Sequence, residues 1–361
     1  MDAARNYSRE KYTLSLIETG YIFVILLLFA ASGLSQSISV SILLCCHQFL
    51  LIPLYLLTVY ILYYALNFPL NFYHSFVLEH KYNLSSQKIG DWLLDQLKSG
   101  LISYLILLIL FEAFYVLLKI SPQAWWLAVS IFWIFFNLIL ARLAPVIIIP
   151  LFFKYKKLSD QGLRERIIHL AEKMNLKILD VFEIDFSKKT LKANAAFVGW
   201  GRTRRVILAD TLKDKYSHDE IAVILAHEFA HYKLKHLIKL ILINSAATIL
   251  AFYFIYKTSS SVLSFFNLSS LSDVAAFPVV CLYFVLFGII MQPLSNFISR
   301  IMERHADKMA LEVTGSKEAF VSMMDKLAQQ NLADRSPHPL IKFFFFDHPP
   351  INERIQMAKN S

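Results

Sequence analysis

Apolar residues gather into six long runs, at 16–34, 40–66, 101–120, 125–152, 237–256 and 274–298. Each is long enough to cross a hydrocarbon core of roughly 30 Å as a helix. Pro145, Pro150 and Pro293 are the expected kinks or ends. The basic start, first run and "AASG" also fit a secretory signal, but the run is long and a second follows almost at once, which favours a membrane helix. Between the fourth and fifth runs the pattern changes. "LRERIIHLAEKM" repeats with helical period, "LDVFEIDF" reads as a strand, and "NAAFVGW" and "VILAD" read as a hairpin across "GRTRR". "TLKDKYSHDEIAVILAHEFAHYKLKH" starts a helix, with Ser217 as N-cap and Glu220 in the capping-box position. No breaker separates this helix from the fifth run, or the sixth run from Glu303, so two continuous helices are expected. The chain therefore divides into four membrane helices with a loop at 74–98 (1–155), a soluble-looking region ending in the "HEFAH" helix (156–236), two further membrane helices (237–298) and a C-terminal segment (299–361).

Composition turns these runs into a membrane protein. Hydrophobic residues make up 57% of the 361 positions and charged residues only 17%, more apolar than a soluble globular chain. The net charge of +9 is not spread evenly. Lys and Arg concentrate before the first run and after the second, fourth and sixth. The positive-inside rule then puts both termini and the 153–236 region in the cytoplasm, at the inner membrane of a bacterium or the endoplasmic reticulum of a eukaryote. No basic helix or aromatic-basic repeat points to nucleic acid. Cys45, Cys46 and Cys281 all lie in apolar runs, which excludes a disulfide framework or a cysteine metal site.

The chemistry sits in "HEFAH". His227 and His231 are four residues apart, so on a helix both imidazoles share a face and can reach one Zn²⁺. Glu228 projects beside them, placed to take a proton from the attacking water. Histidines at a helix C-terminus also favour the dipole, a reading that suits His236. A catalytic zinc needs a third protein ligand, and "ERHAD" offers one. Glu303 and Asp307 share a face, one as ligand and the other as acceptor for a ligand imidazole's second N–H; His305 points elsewhere. Such acidic pairs are common on solvated helices, but this one follows directly on the sixth run. Both ligand groups then stand where the membrane ends, so the substrate is expected to be membrane-associated. His47, Glu112, Asn137 and Arg142 are polar residues inside runs, functional by default, although Arg142 can snorkel.

These residues resemble the integral-membrane zinc endopeptidases of the type I CAAX prenyl protease family. The likeness includes "LNFPLNFYHSFVLEHKYNLSSQKIGDWLLDQLK", "RLAPVIIIPLFFKYKKLSDQGLRERI", "DFSKKTLKANAAFVGWGRTRRVILADTL", "NFISRIMERHAD" and "DHPPINERI", in order over 65–356. It implies an all-α membrane protein of six transmembrane helices around a water-filled chamber, with a cytoplasmic zincin-like α+β metalloprotease domain. It implies His227, His231 and Glu303 as zinc ligands, Glu228 as base, and Asp307, Asn296 and Arg300 as their outer support. Backbone at Asn194 and Ala195 would pair with extended substrate, His348 would donate to the oxyanion, and Arg354 would hold a substrate carboxylate. The implied substrate is a lipidated or membrane-associated protein cut near its C-terminus, and the enzyme a monomer in the bilayer. Eukaryotic members have seven spans, whereas this chain shows six and opens with what resembles their second. "HKYN" replaces the family's "HGFN", and "ANAAF" its "SNAYF", so the aromatic expected at Ala196 is missing. A heat-shock-type membrane metalloprotease is the alternative enzyme; a transporter or channel would leave "HEFAH" and "ERHAD" unexplained.

Overall fold

The computed structural model describes residues 2–199 and 204–361. The N-terminal part is helical: α1 (Asp2–Ala31), α2 (Leu34–Cys45), α3 (Leu51–Phe72), α4 (Leu78–Lys81), α5 (Ile89–Ile120), α6 (Trp125–Leu143) and α7 (Ile149–Phe152). Among the described residues, six helical stretches are long and apolar enough to cross a membrane: Ala3–Ala31, Gln48–Lys81, Ile89–Ile120, Trp125–Phe152, His236–Phe265 and Val274–Thr314. They cover one another little. The most apolar window buries 6% of its residues in the first span and 44% in the sixth, so most of their surface needs lipid or an interior medium as partner.

The run at 40–66 is not one helix. The chain becomes extended at Cys46 (φ −135°, ψ 160°), and the His47 ring accepts the Phe49 N–H to start the next turn. The short α2 is pinned by polar contacts in an apolar setting. Ser35 Oγ donates to the Ala275 carbonyl at 2.7 Å and lies 2.6 Å from Tyr55 Oη. Of the prolines, Pro145 lies in a π-helical turn (Ala144–Ile148) and Pro150 in the last helical turn of its span. Pro293 interrupts nothing, because α12 (Phe277–Thr314) runs through it.

Next come β1 (Tyr155–Lys157), α8 (Gln161–Lys173), β2 (Val181–Ile184), β3 (Ala195–Val198), β4 (Arg205–Ala209), α9 (Asp210–Lys213), α10 (His218–Lys233) and α11 (His236–Phe265). After α12 follow α13 (Lys317–Gln330), α14 (Pro339–Phe345) and α15 (Ile351–Asn360). The sheet order is β1-β2-β4-β3, with β2 and β4 parallel and the other pairs antiparallel. The expected hairpin is β3–β4; its "GRTRR" turn falls largely outside the described residues. β1 was not expected: three residues with two lysines carry no strand pattern, and pairing to β2 alone orders them.

The "HEFAH" helix does not continue into the fifth span. α10 begins with the expected box, Ser217 Oγ accepting from Glu220 N–H and the Glu220 carboxylate accepting from Ser217 N–H. It ends at Lys233, and Lys235 takes a left-handed conformation (φ 56°) before α11 starts at His236. A lysine there costs roughly 1–2 kcal/mol, and no glycine marks the position. His236, directly after the break, is buried, 1% exposed.

Candidate active site

Two helices bring the site together. α10 packs on α12, and fully buried Ala226 and Ala230 on one and Ala306 and Ala310 on the other belong to the same core cluster. Small side chains let helix backbones approach closely. The seam places His227, His231 and Glu303 in one group. His227 Nε2 and His231 Nε2 lie 3.1 Å apart, His227 Nε2 lies 3.2 Å from Glu303 Oε2, and His231 Nε2 lies 3.1 Å from Glu303 Oε1.

This group fits a divalent cation. Tetrahedral ligands about 2.0–2.1 Å from a zinc ion stand roughly 3.3 Å from one another, close to the spacings here. Glu303 Oε2 is buried, with His227 Nε2 at 3.2 Å and His348 Nε2 at 3.3 Å but neither aligned as a hydrogen-bond donor, an arrangement that would be costly unless a positive charge belongs beside it. The same demand shows on His227. Burial disfavours its charge, yet the Asp307 and Glu303 carboxylates outweigh burial and raise its pKa to about 9.

Support comes from behind the ligands. Asp307, fully buried, places Oδ1 2.8 Å from His227 Nδ1. Arg354, 9% exposed, clasps Asp307 with both Nε and Nη2. Its guanidinium is thus spent inside the protein, and the expected role on a substrate carboxylate is corrected: a buried fork already paired to Asp307 is not offered to a ligand. Asn296 and Arg300 also differ from expectation. Asn296 Nδ2 donates to the Phe344 carbonyl, and Arg300 Nη1 to the Lys342 and Phe346 carbonyls. They fasten α14 and the strand-like exit from it, and so carry the segment ending in His348. His305 is exposed, as its helical face requires.

His348 reaches the group from this segment, its Nε2 3.3 Å from Glu303 Oε2. Asp347 Oδ1 sits 2.8 Å from His348 Nδ1. Burial disfavours the charged ring, but the Asp347 bond and the Glu303 charge prevail and raise its pKa. Glu228 is half-buried on α10, and burial raises its carboxyl pKa despite the nearby imidazoles.

β3 lies at the sheet edge beside α10, its Phe197 ring 5.0 Å from Phe229 and 5.5 Å from Tyr232. The Ala209 N–H donates to the Asn194 carbonyl, and the register pairs Ala196 with Ile207 and Val198 with Arg205. Antiparallel ladders bond alternate pairs. Ala195 and Phe197 therefore turn their N–H and C=O groups to the open edge, whereas the Asn194 carbonyl is committed to β4. The free backbone groups of this edge are therefore those of Ala195 and Phe197 rather than Asn194, which only the register reveals.

Residues 157–361 match the profile of peptidase family M48, and residues 1–154 match that of the CAAX prenyl protease N-terminal region, described as five membrane helices. The chain belongs to peptidase family M48. Against those five N-terminal helices, the described residues of this M48 chain show, before residue 155, four helices long and apolar enough to cross a membrane and the short α2. The metalloprotease YhfN of Bacillus subtilis is 35% identical over 282 residues, 77% of this chain and 66% of that protein. CAAX prenyl protease 1 of Saccharomyces cerevisiae is 30% identical over 311 residues, 80% of this chain and 67% of that one. The chain thus spans about two thirds of the length of these relatives. The crystal structure of S. mikatae Ste24p matches with a TM-score of 0.89 and 25% identity, over 98% of this chain and 88% of that one. This M48 member is a multi-pass membrane metalloprotease.

Proposed function

We propose that the chain is a zinc endopeptidase cleaving near the C-terminus of membrane-associated proteins, with CAAX-type prenylated chains as its substrate class. The observation that carries this reading is the open edge of β3 alongside α10, at the end of two membrane helices. His227, His231 and Glu303 would hold the ion; bound there, Zn²⁺ supplies a Lewis acid for the scissile carbonyl and for water. The extended substrate adds to β3 through the outward groups of Ala195 and Phe197. Glu228 takes the proton from the attacking water and returns it to the leaving amine. The protonated His348 ring donates from Nε2 to the oxyanion. Asn296 and Arg300 place His348 by anchoring its segment, and Asp307 with Arg354 fixes the His227 ring. The relatives' name, CAAX prenyl protease, supports the lipidated substrate. The lysine and arginine distribution supports a cytoplasmic site and termini, in a monomer whose membrane helices enclose a wet chamber.

The test is cleavage of a farnesylated peptide against the same peptide unmodified, by purified protein in detergent with one equivalent of Zn²⁺. Preference for the farnesylated form is expected. Equal cleavage of both would move the protein to membrane-protein quality control, and no chelator-sensitive cleavage of either would end the protease reading. A reporter fused after Ser361 should read out on the cytoplasmic side.

A further inference from the structure

His236 is the first residue of the fifth span, yet it touches the metal group. Its Nδ1 lies 3.0 Å from His231 Nδ1, with the ring centroids 5.0 Å apart at 73°. Five residues on an unbroken helix rotate by about 500°, which would carry His236 to the far side from His231. The left-handed Lys235 brings it back. Two imidazole nitrogens at this distance share one hydrogen, and the position of that hydrogen follows from the rest of the site. His231 Nε2 faces His227 Nε2 and Glu303 and must be bare to ligate. The His231 proton then sits on Nδ1 and is donated to His236 Nδ1. His236 carries its own proton on Nε2, which is buried without a partner. A donor left unpaired in the interior is retained when the other face of the ring is needed.

We infer that His236 is a positioning residue for the metal: it accepts the His231 Nδ1–H, fixes the ligating tautomer, and ties the start of the fifth span to the site. It plays for His231 the part that Asp307 plays for His227, with a neutral acceptor in place of a carboxylate. The inference rests on the reading of His227, His231 and Glu303 as metal ligands.

The experiment measures Zn²⁺ affinity of the full chain in detergent by competition with a chromophoric chelator. His236→Asn puts an amide oxygen where Nδ1 stands and keeps the acceptor. His236→Phe and His236→Leu keep apolar bulk and remove it. Loss of an outer-sphere partner typically weakens metal binding about 10–100-fold, so that loss is expected for the Phe and Leu variants, with Asn within a few-fold of the parent. Thermal unfolding of the metal-free proteins shows which variants fold. If either folded apolar variant binds Zn²⁺ as tightly as the parent, or if Asn loses as much as Phe, the assignment of His236 is overturned. A parent chain that binds no Zn²⁺ would instead overturn the ligand reading beneath it. Should neither apolar variant fold, the Asn variant decides alone: near-parent affinity upholds the acceptor and a 10-fold loss removes it.

Discussion

Arg354 grips Asp307 with two parallel N–H donors in a site closed to solvent. The pair stands behind His227 and sets the ring that faces the metal group. Removing one partner of a buried ion pair costs roughly 3–5 kcal/mol, because the other charge is left unpaired. Arg354→Met should therefore lower the unfolding midpoint in detergent and weaken Zn²⁺ binding. Arg354→Lys keeps the charge without the fork and should lose less. In neither variant should the preference between a free and an amidated peptide C-terminus change. A selective loss of cleavage for the free acid would show Arg354 on the substrate after all.

Glu228→Gln removes the base and leaves the ligand group intact. Zinc content should stay at one equivalent while peptide turnover drops about 10²–10⁴-fold, the usual worth of a positioned general base. Turnover near that of the parent would mean another group takes the proton.

The β3 register separates two substitutions one residue apart. Ala195 points its N–H to the free edge, so proline there costs the sheet no bond and removes a donor to substrate. Ala196 lies in a bonded pair with Ile207, so proline breaks the ladder. Ala195→Pro should fold, retain zinc and lose turnover; Ala196→Pro should lose stability. If Ala195→Pro cleaves peptide at the parent rate, the substrate does not add to β3.

The pH profile follows from two raised pKa values. Glu228 must be ionised to act, and burial raises its pKa, so activity should fall on the acid side above the ordinary carboxylate range. On the alkaline side the sign is set by Asp347. Its carboxylate accepts from His348 Nδ1, so neutral His348 keeps its proton there and Nε2 is bare. Only the imidazolium donates from Nε2. Because the His348 pKa is raised, activity persists above the usual histidine range and is lost as pH rises through it. Asp347→Asn should move that alkaline limb of kcat/KM to lower pH. A limb that stays in place, or moves upward, would detach His348 from the oxyanion.

Much of the site was legible because helical geometry turns spacing into proximity. His227, His231 and Glu228 follow from one interval, and Glu303 with Asp307 from another. The six spans follow equally directly, since bilayer thickness converts run length into structure. What stayed hidden depends on partners far along the chain. Nearer by, the break at Lys235 has no glycine to announce it, although it is what brings His236 back against His231. Arg354 reads as available for a carboxylate until Asp307, 47 positions away, is seen to occupy it. Asn296 and Arg300 bind main-chain carbonyls, which any residue supplies and no pattern reveals. β1 exists only by pairing, and the choice of Ala195 and Phe197 over Asn194 is a matter of register.

α12 is one unbroken helix from Phe277 to Thr314, holding the sixth span at one end and Glu303 and Asp307 further along. Such a rod transmits tilt. From Gly288 to Glu303 it measures about 22 Å, so a rotation of about 5° around the span's middle displaces Glu303 by about 2 Å. His227 and His231 ride on a different helix, cut from its own span at Lys235. α10 packs along α12 through Ala226, Ala230, Ala306 and Ala310, so such a displacement carries the two histidines along with the glutamate. The ligand group is thus a rider on the sixth span rather than a gap that the span can open.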